Sequence, residues 1–426
     1  MKKFLAMLLA LVMALSLVAC GEKKDDTQGD GDGDATAAKV KVGFITLHDE
    51  NSTYDLNFIN AAKKAIEDLG LTEDDYILKT NVPEGQECYE TAMDMVDNGC
   101  NIIFADSFGH EPYMIDAAKE NPDVQFCHST GTRAHTEGLA NYHNAFASIY
   151  EGRYLAGIAA GMKLNEMIEA GKFTAEEAKM GYVGAFTYAE VVSGYTSFYL
   201  GAKSVCPTVT MEVTFTGSWY DEPLEKTGAE LLIDRGCKLI SPHADSFGAP
   251  TACQNAGVPN VSYNGSTKNV GADTYIISSR IDWAPYYEYA IKAVMDGTAI
   301  DADWTGTLAT GSVVLEELNT DVAAAGTAEA IEAAKAKLES GELHVFDVST
   351  FTTKADDTMN TFKVDFLKVD ENGHITSYLA DVDTDEAYTG DTEVVHDGYF
   401  AESEKRSAPY FDLQIDGIVL LDQNFG

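Results

Sequence analysis

The sequence predicts an α/β protein in which two doubly wound, parallel-sheet lobes flank a ligand cleft, with a C-terminal β-containing elaboration. Three observations predict it. The chain has 426 residues, 45% of them hydrophobic, which suits about two domains of ordinary size. Short apolar strands with Gly-rich ends alternate with amphipathic helices, the pattern of βαβ units. That pattern also occurs twice. Val42-Gly43-Phe44-Ile45-Thr46 is answered by Gly181-Tyr182-Val183-Gly184-Ala185-Phe186, and 95–103 (MVDNGCNII) by 232–240 (LIDRGCKLI). Ala105-Asp106-Ser107-Phe108-Gly109 recurs letter for letter as Ala244-Asp245-Ser246-Phe247-Gly248, and the offset stays at 137 to 139 throughout. Three landmarks in register indicate a duplicated lobe.

Taken in chain order, Lys2 and Lys3 precede an apolar run from Phe4 to Ala19 interrupted only by Ser16. As a helix this run rises about 24 Å, short of the roughly 30 Å hydrocarbon core, so it reads as an export signal. Leu17-Val18-Ala19-Cys20-Gly21 resembles a bacterial lipobox, with Cys20 as the lipidated N-terminus of the mature chain. Cleavage there would remove Lys2 and Lys3 and take the net charge from −40 to −42. Residues 22–38 are Gly- and Asp-rich with no large apolar side chain, and read as a tether. The expected organisation is a signal peptide over 1–19, lipidated Cys20 and tether over 20–38, and a first lobe over 39–148. A second lobe over 149–278, a return to the first lobe over 279–345 and the elaboration over 346–426 complete it.

Within the lobes, Phe58, Ala61, Ala62, Ala65, Ile66 and Leu69 mark one face of a helix over 57–69. A second helix over 224–233 is expected to stop at Gly236. Each Asp-Ser-Phe-Gly segment lies at the carboxyl end of a strand and precedes a proline, Pro112 or Pro250, near the start of the next helix. Ligands of open parallel sheets bind outside the strands' carboxyl ends, so the two equivalent loops place the site between the lobes. In the tail, 362–369 and 374–379 flank Asp370-Glu371-Asn372-Gly373 as a hairpin.

Charge and motif content narrow the function. Against 29 Lys and Arg stand 69 Asp and Glu, which excludes a nucleic-acid partner and disfavours a phosphorylated ligand. No G-x-S-x-G, H-E-x-x-H, P-loop or dinucleotide fingerprint occurs, so neither catalysis nor a cofactor is expected. The six cysteines after Cys20 show no zinc spacing; free thiols are favoured, with Cys100 and Cys237 in the core. Asp381-Val382-Asp383-Thr384-Asp385 lacks the Gly and closing Glu of a calcium loop, and no metal is expected. Aromatic residues gather where the cleft would be, notably Tyr54, Phe108, Trp219 and Trp283. Trp219 lies in a polar turn, an unusual place for a core tryptophan, and Asp221, Asp245 and Asn264 are candidates for the polar edge of a flat ligand.

Gly43-Phe44-Ile45-Thr46, the 146–157 stretch (FASIYEGRYLAG), Gly217-Ser218-Trp219-Tyr220-Asp221-Glu222-Pro223 and Trp283-Ala284-Pro285-Tyr286-Tyr287 together resemble the basic membrane protein family. These are lipoproteins with the type I periplasmic-binding-protein fold that serve ABC importers. The resemblance covers about residues 40–300 and lies nearest the purine-binding branch. It implies a purine nucleobase or nucleoside as ligand, an ABC permease as partner, and a monomer anchored through lipid on Cys20 at the extracytoplasmic face of the membrane. It places Tyr54 and Trp219 on the two faces of the base, Ser107 and Phe108 in the first lobe's loop, and His243, Asp245 and Asn264 in the second's. Trp283 would stand at the return crossing. The family's glycine-rich first loop is here Leu47-His48-Asp49-Glu50-Asn51-Ser52, and its lysine before the return crossing corresponds to about Ser279. Both departures weaken ribose contacts. A sugar or signalling furanose in the same fold and a surface nucleoside hydrolase are the alternatives.

Overall fold

The computed structural model describes residues 40–382 and 392–425. Cys20, the export signal, the tether and most of the 381–385 acidic run lie outside the described residues.

Each repeat folds into its own parallel sheet. The first contains β1 (Val42–Ile45), β2 (Tyr76–Lys79), β3 (Ile102–Ala105), β4 (Gln125–Ser129) and β5 (Tyr142–Ala147) in spatial order 2-1-3-4-5. The second contains β6 (Lys179–Gly184), β7 (Thr210–Phe215), β8 (Leu239–His243), β9 (Asn260–Tyr263) and β10 (Tyr275–Ile281) in the equivalent order 7-6-8-9-10. In both, the first strand pairs in parallel with the second on one side and the third on the other. The chain therefore winds in opposite directions from β1 and from β6, opening a crevice at the carboxyl ends of β1/β3 and β6/β8.

Local sequence sets the helices between these strands. α1 (Thr53–Asp68) begins four residues before the expected 57, because Ser52 caps it by accepting from the Asp55 amide. The helix over Glu222–Asp234 is likewise capped by Asp221, whose carboxylate accepts from Leu224 N at 2.9 Å, and Gly236 beyond it takes φ +91°. The longest helices, Ile149–Glu169 and Ala189–Val205, pack through glycine. A Cβ on Gly157 would lie 2.1 Å from Phe198 O and one on Gly201 2.0 Å from Tyr154 O, so only glycine permits this backbone approach.

The return segment serves both lobes. β11 (Asp303–Gly306) extends the first sheet beside β5, whereas β12 (Val313–Leu315) pairs antiparallel with β10 in the second. The expected hairpin forms between β13 (Leu367–Val369) and β14 (Ile375–Ala380), with Gly373 at φ +88° in its turn. Its first arm is shorter than 362–369, since 361–366 are turns. Ile418–Leu420 adds a parallel edge strand to the second sheet against β7. All six cysteines after Cys20 are buried free thiols.

Candidate functional site

The crevice holds a cavity with about 380 Å³ of empty space, open solvent included. In the first lobe its walls come from Leu47 and His48 after β1, Tyr54 and Asp55 in the first turn of α1, Ser107 and Phe108 after β3, and Thr130 after β4. The second lobe supplies Glu190 after β6, Trp219 after β7, His243 at the end of β8, Asp245 beyond it, and Asn264 after β9. The topological switch point of each sheet thus faces the other across one space.

Of the nine residues expected at the site, seven line this cavity: Tyr54, Ser107, Phe108, Trp219, His243, Asp245 and Asn264. Two do not. Trp283 is 1% exposed and stacks on Phe58 at 4.5 Å and 22°, with Phe146 edge-on at 6.0 Å. It sits where the chain enters the helix Ala284–Asp296 that packs against α1, so its indole fills the core behind the site. Asp221 is committed to capping its helix, and its neighbour Tyr220 meets His48 across the lobes at 5.5 Å.

Four polar residues of the wall were not expected from the sequence: His48, Asp55, Thr130 and Glu190. Asp55 had a readable signal, the Ser52-x-x-Asp55 capping pattern ahead of an apolar run. Glu190 follows the second lobe's first strand at the place equivalent to the Leu47–Asp55 loop. Thr130 carried none, since its φ of +76° arises only in the folded loop.

The aromatic wall spans both lobes. Tyr54 donates its hydroxyl to Asp106 O at 2.7 Å and rests edge-on against Phe58 at 4.8 Å, which fixes its ring. Trp219 meets Phe186 edge-on at 5.2 Å and Tyr188 at 6.1 Å, and Phe186 and Tyr188 stack on each other at 5.0 Å. Phe108, 37% exposed, reaches Tyr188 at 5.4 Å from the opposite lobe.

The surroundings push the carboxyl groups in opposite directions. Burial raises Asp55, but hydrogen bonds from His48 and Ser52 outweigh it and hold the group below the ordinary Asp value, so it is a carboxylate. Burial, then the Asp55 charge, pushes Asp106 well above that value. Burial, followed by the charges of Asp55 and Glu225, does the same to Asp245. Burial thus favours the protonated form of Asp245, whose Oδ1 accepts from Asn264 Nδ2 at 3.0 Å. Burial lowers His243, leaving a neutral imidazole. The wall thus offers carboxyl groups, an amide, two imidazoles and three aromatic rings. That set suits an uncharged, flat or ring-shaped solute with polar edges and repels phosphate.

Contacts between the lobes close the crevice. Thr53 N and Oγ1 both donate to Asp245 O at 3.1 Å, and Asn57 Nδ2 donates to Asn264 O at 2.7 Å.

Residues 42–347 match the family model described as ABC transporter substrate-binding protein PnrA-like, named Bmp. The chain belongs to this family. Bmp proteins are solute-binding components of ABC transporters, which take up their ligands outside the cytoplasm. Among curated relatives, a putative ABC transporter glucose-binding protein of Haloferax volcanii is 33% identical over 60% of this chain and 62% of its own length. A purine-binding protein of Brucella abortus is also 33% identical, over 61% of this chain and 70% of its own. An ABC transporter nucleoside-binding protein of Lactococcus lactis is 22% identical over 58% and 67%. The chain thus spans less than two thirds of the Haloferax protein's length. An ABC transporter solute-binding protein from Aeropyrum pernix superposes with a TM-score of 0.60 over 74% of this chain and 94% of its own, at 19% identity. One from Conexibacter woesei superposes at 0.58 over 72% and 98%, at 22% identity. Both share the two-lobed solute-binding fold. Among the described residues no helix is long and apolar enough to cross a membrane.

Proposed function

We propose that this chain is a monomeric, lipid-anchored binding protein that captures a purine nucleobase or nucleoside outside the cell and delivers it to an ABC permease. One observation carries the reading: Tyr54 from the first lobe and Trp219 from the second line one cavity with Leu47, Phe108 and polar side chains that include Asp55, Asp245 and Asn264. A purine presents two apolar faces for such rings and an edge of ring nitrogens and exocyclic groups for Asp55, Asp245 and Asn264. Each base–aromatic stack contributes about 1–3 kcal/mol in single-strand binders, and the same physics operates here. The purine- and nucleoside-binding names of the Brucella and Lactococcus relatives support this ligand class. Acylation of Cys20 would hold the protein at the membrane; metabolic labelling with a fatty-acid probe, lost in Cys20→Ser, tests it.

Calorimetric titration with adenine, guanosine, xanthine, glucose and ribose tests the ligand. Saturable binding of a purine is expected. No heat from any purine up to about millimolar concentration, where binding free energy is only about −4 kcal/mol, rules the purine reading out.

A sugar is the second reading, favoured by the glucose-binding name of the Haloferax relative and by the carboxyl and amide groups of the wall. Trp219→Ala separates the two. Purine capture predicts a large loss of affinity, whereas a sugar held mainly by carboxyl and amide groups is retained.

A further inference from the structure

A buried chain of donors behind the second lobe's wall ends at His243. Arg153 is fully buried in the helix Ile149–Glu169, and its guanidinium packs against the rings of Phe198, Tyr263 and Tyr182 at 4.9, 5.0 and 5.5 Å. Its Nη2 donates to Ser241 Oγ at 2.8 Å and to the Tyr182 hydroxyl at 3.2 Å, and its Nη1 donates to Ser262 O at 3.2 Å. The Tyr182 hydroxyl in turn lies 2.8 Å from His243 Nδ1.

Proton counting sets the direction of this chain. Guanidinium nitrogens only donate, so the Tyr182 oxygen is the acceptor towards Arg153. The buried phenol's own proton must then go to His243 Nδ1, the other group within reach. An Nδ1 that accepts belongs to a neutral imidazole whose proton is on Nε2. His243 Nε2 is buried without a hydrogen-bond partner, stands 3.7 Å from Glu190 Oε1, and belongs to the cavity wall. The ring cannot swing away: Tyr263 packs on it at 4.5 Å, and Gly194 approaches so closely that a Cβ there would sit 2.7 Å from Nδ1. Burial holds the Tyr182 hydroxyl protonated, its pKa pushed up to about 12.

We infer that Arg153, acting through Tyr182, locks His243 as an Nε2–H donor facing the solute, so that the ligand must present a hydrogen-bond acceptor at that edge. Arg153 and Tyr182 are positioning residues; His243 is the specificity-determining one. The inference rests on the cavity being the solute site, and it selects within the purine class. A carbonyl oxygen or bare ring nitrogen satisfies the donor, whereas an amino group aimed at it leaves two protons opposed, a mismatch that costs more than the bond is worth.

Nitrogen–proton correlation spectra of the full chain labelled at its nine histidines test this at mildly alkaline pH. The His243 signals are assigned by their loss in His243→Gln, or by their selective perturbation in Tyr182→Phe. The expected spectrum shows a protonated Nε2 and a bare, hydrogen-bonded Nδ1. In Tyr182→Phe the Nδ1 resonance moves to that of a free ring nitrogen and the Nδ1–H tautomer becomes populated. A protonated Nδ1 in the wild-type chain, or a doubly protonated ring, overturns the inference whichever solute the protein binds. Guanosine is the probe for the second half. If calorimetry shows it to bind, its addition should shift the Nε2–H resonance; binding without that shift removes His243 from the ligand edge. Absence of guanosine binding bears on the purine reading, not on the tautomer.

Discussion

Thr53 and Asp245, far apart in the chain, share two hydrogen bonds across the cleft: Thr53 N and Oγ1 both donate to Asp245 O at 3.1 Å. The side chain of Asp245 belongs to the cavity wall while its carbonyl belongs to the seam, so the residue that meets the solute also joins the lobes. One turn further along α1, Asn57 Nδ2 reaches Asn264 O at 2.7 Å, and Asn264 is again a wall residue. Closure and solute contact are thereby coupled through the same two loops, and a solute that orders those loops favours the closed form.

Loosening the seam should weaken capture without touching the cavity. Asn57→Ala removes one neutral hydrogen bond, worth about 0.5–1.5 kcal/mol, so affinity should fall about two- to tenfold. The dissociation rate measured by stopped flow should carry most of the change, with Tm nearly unaltered.

Trp219→Ala should cost about 1–3 kcal/mol of purine binding, roughly a 5- to 150-fold rise in Kd. Trp283→Ala should behave oppositely. Loss of its buried ring against Phe58 and Phe146 should destabilise the fold by about 3–5 kcal/mol, read by denaturant unfolding.

The stability that two buried carboxyls contribute should be lost as pH rises from about 4.5 to about 7. Burial pushes Glu402 and Glu225 up from 4.5 to about 7. Between those values the folded chain binds more protons than the unfolded one, so each group lowers stability by up to about 1.4 kcal/mol per pH unit. Below about pH 4.5 both states are protonated and the effect vanishes. Glu402→Gln keeps an acceptor for the Tyr410 and Phe411 amides, so it should match the wild type at low pH and exceed it above neutrality.

The end of the chain braces the second lobe's wall. Thr187 N donates to Asn424 O at 2.6 Å, Asn424 N donates to Thr187 Oγ1 at 2.8 Å, and Asp422 accepts from Phe215 N at 2.8 Å. These loops lead into Glu190 and Trp219. Removing residues 422–426 should raise Kd and broaden Trp219 fluorescence while leaving the two sheets intact by circular dichroism.

The duplicated lobe was legible because a parallel βαβ unit repeats its apolar strands and its glycine stops at fixed spacing, and the two Asp-Ser-Phe-Gly loops fell at the strand ends where ligands bind. Trp219 could be read because a polar turn is a poor place to bury an indole. Trp283 could not, since a tryptophan before an Ala-Pro helix start reads alike whether the helix faces a cleft or a core. Its burial depends on Phe58 and Phe146, distant in the chain.

By itself the sequence determined the α/β repeat and the net acidity, and loops after strands marked Tyr54, Phe108, Trp219, Asp245 and Asn264 as cleft candidates, while Ser107 and His243 were named through the family resemblance. Only the tertiary structure decided which side chains share the cavity, in which direction burial and partners push its carboxyls, and which way the proton chain from Arg153 to His243 runs. Those properties come from burial and from partners on other elements, and no local pattern encodes how far water is excluded from a side chain or what lies opposite it.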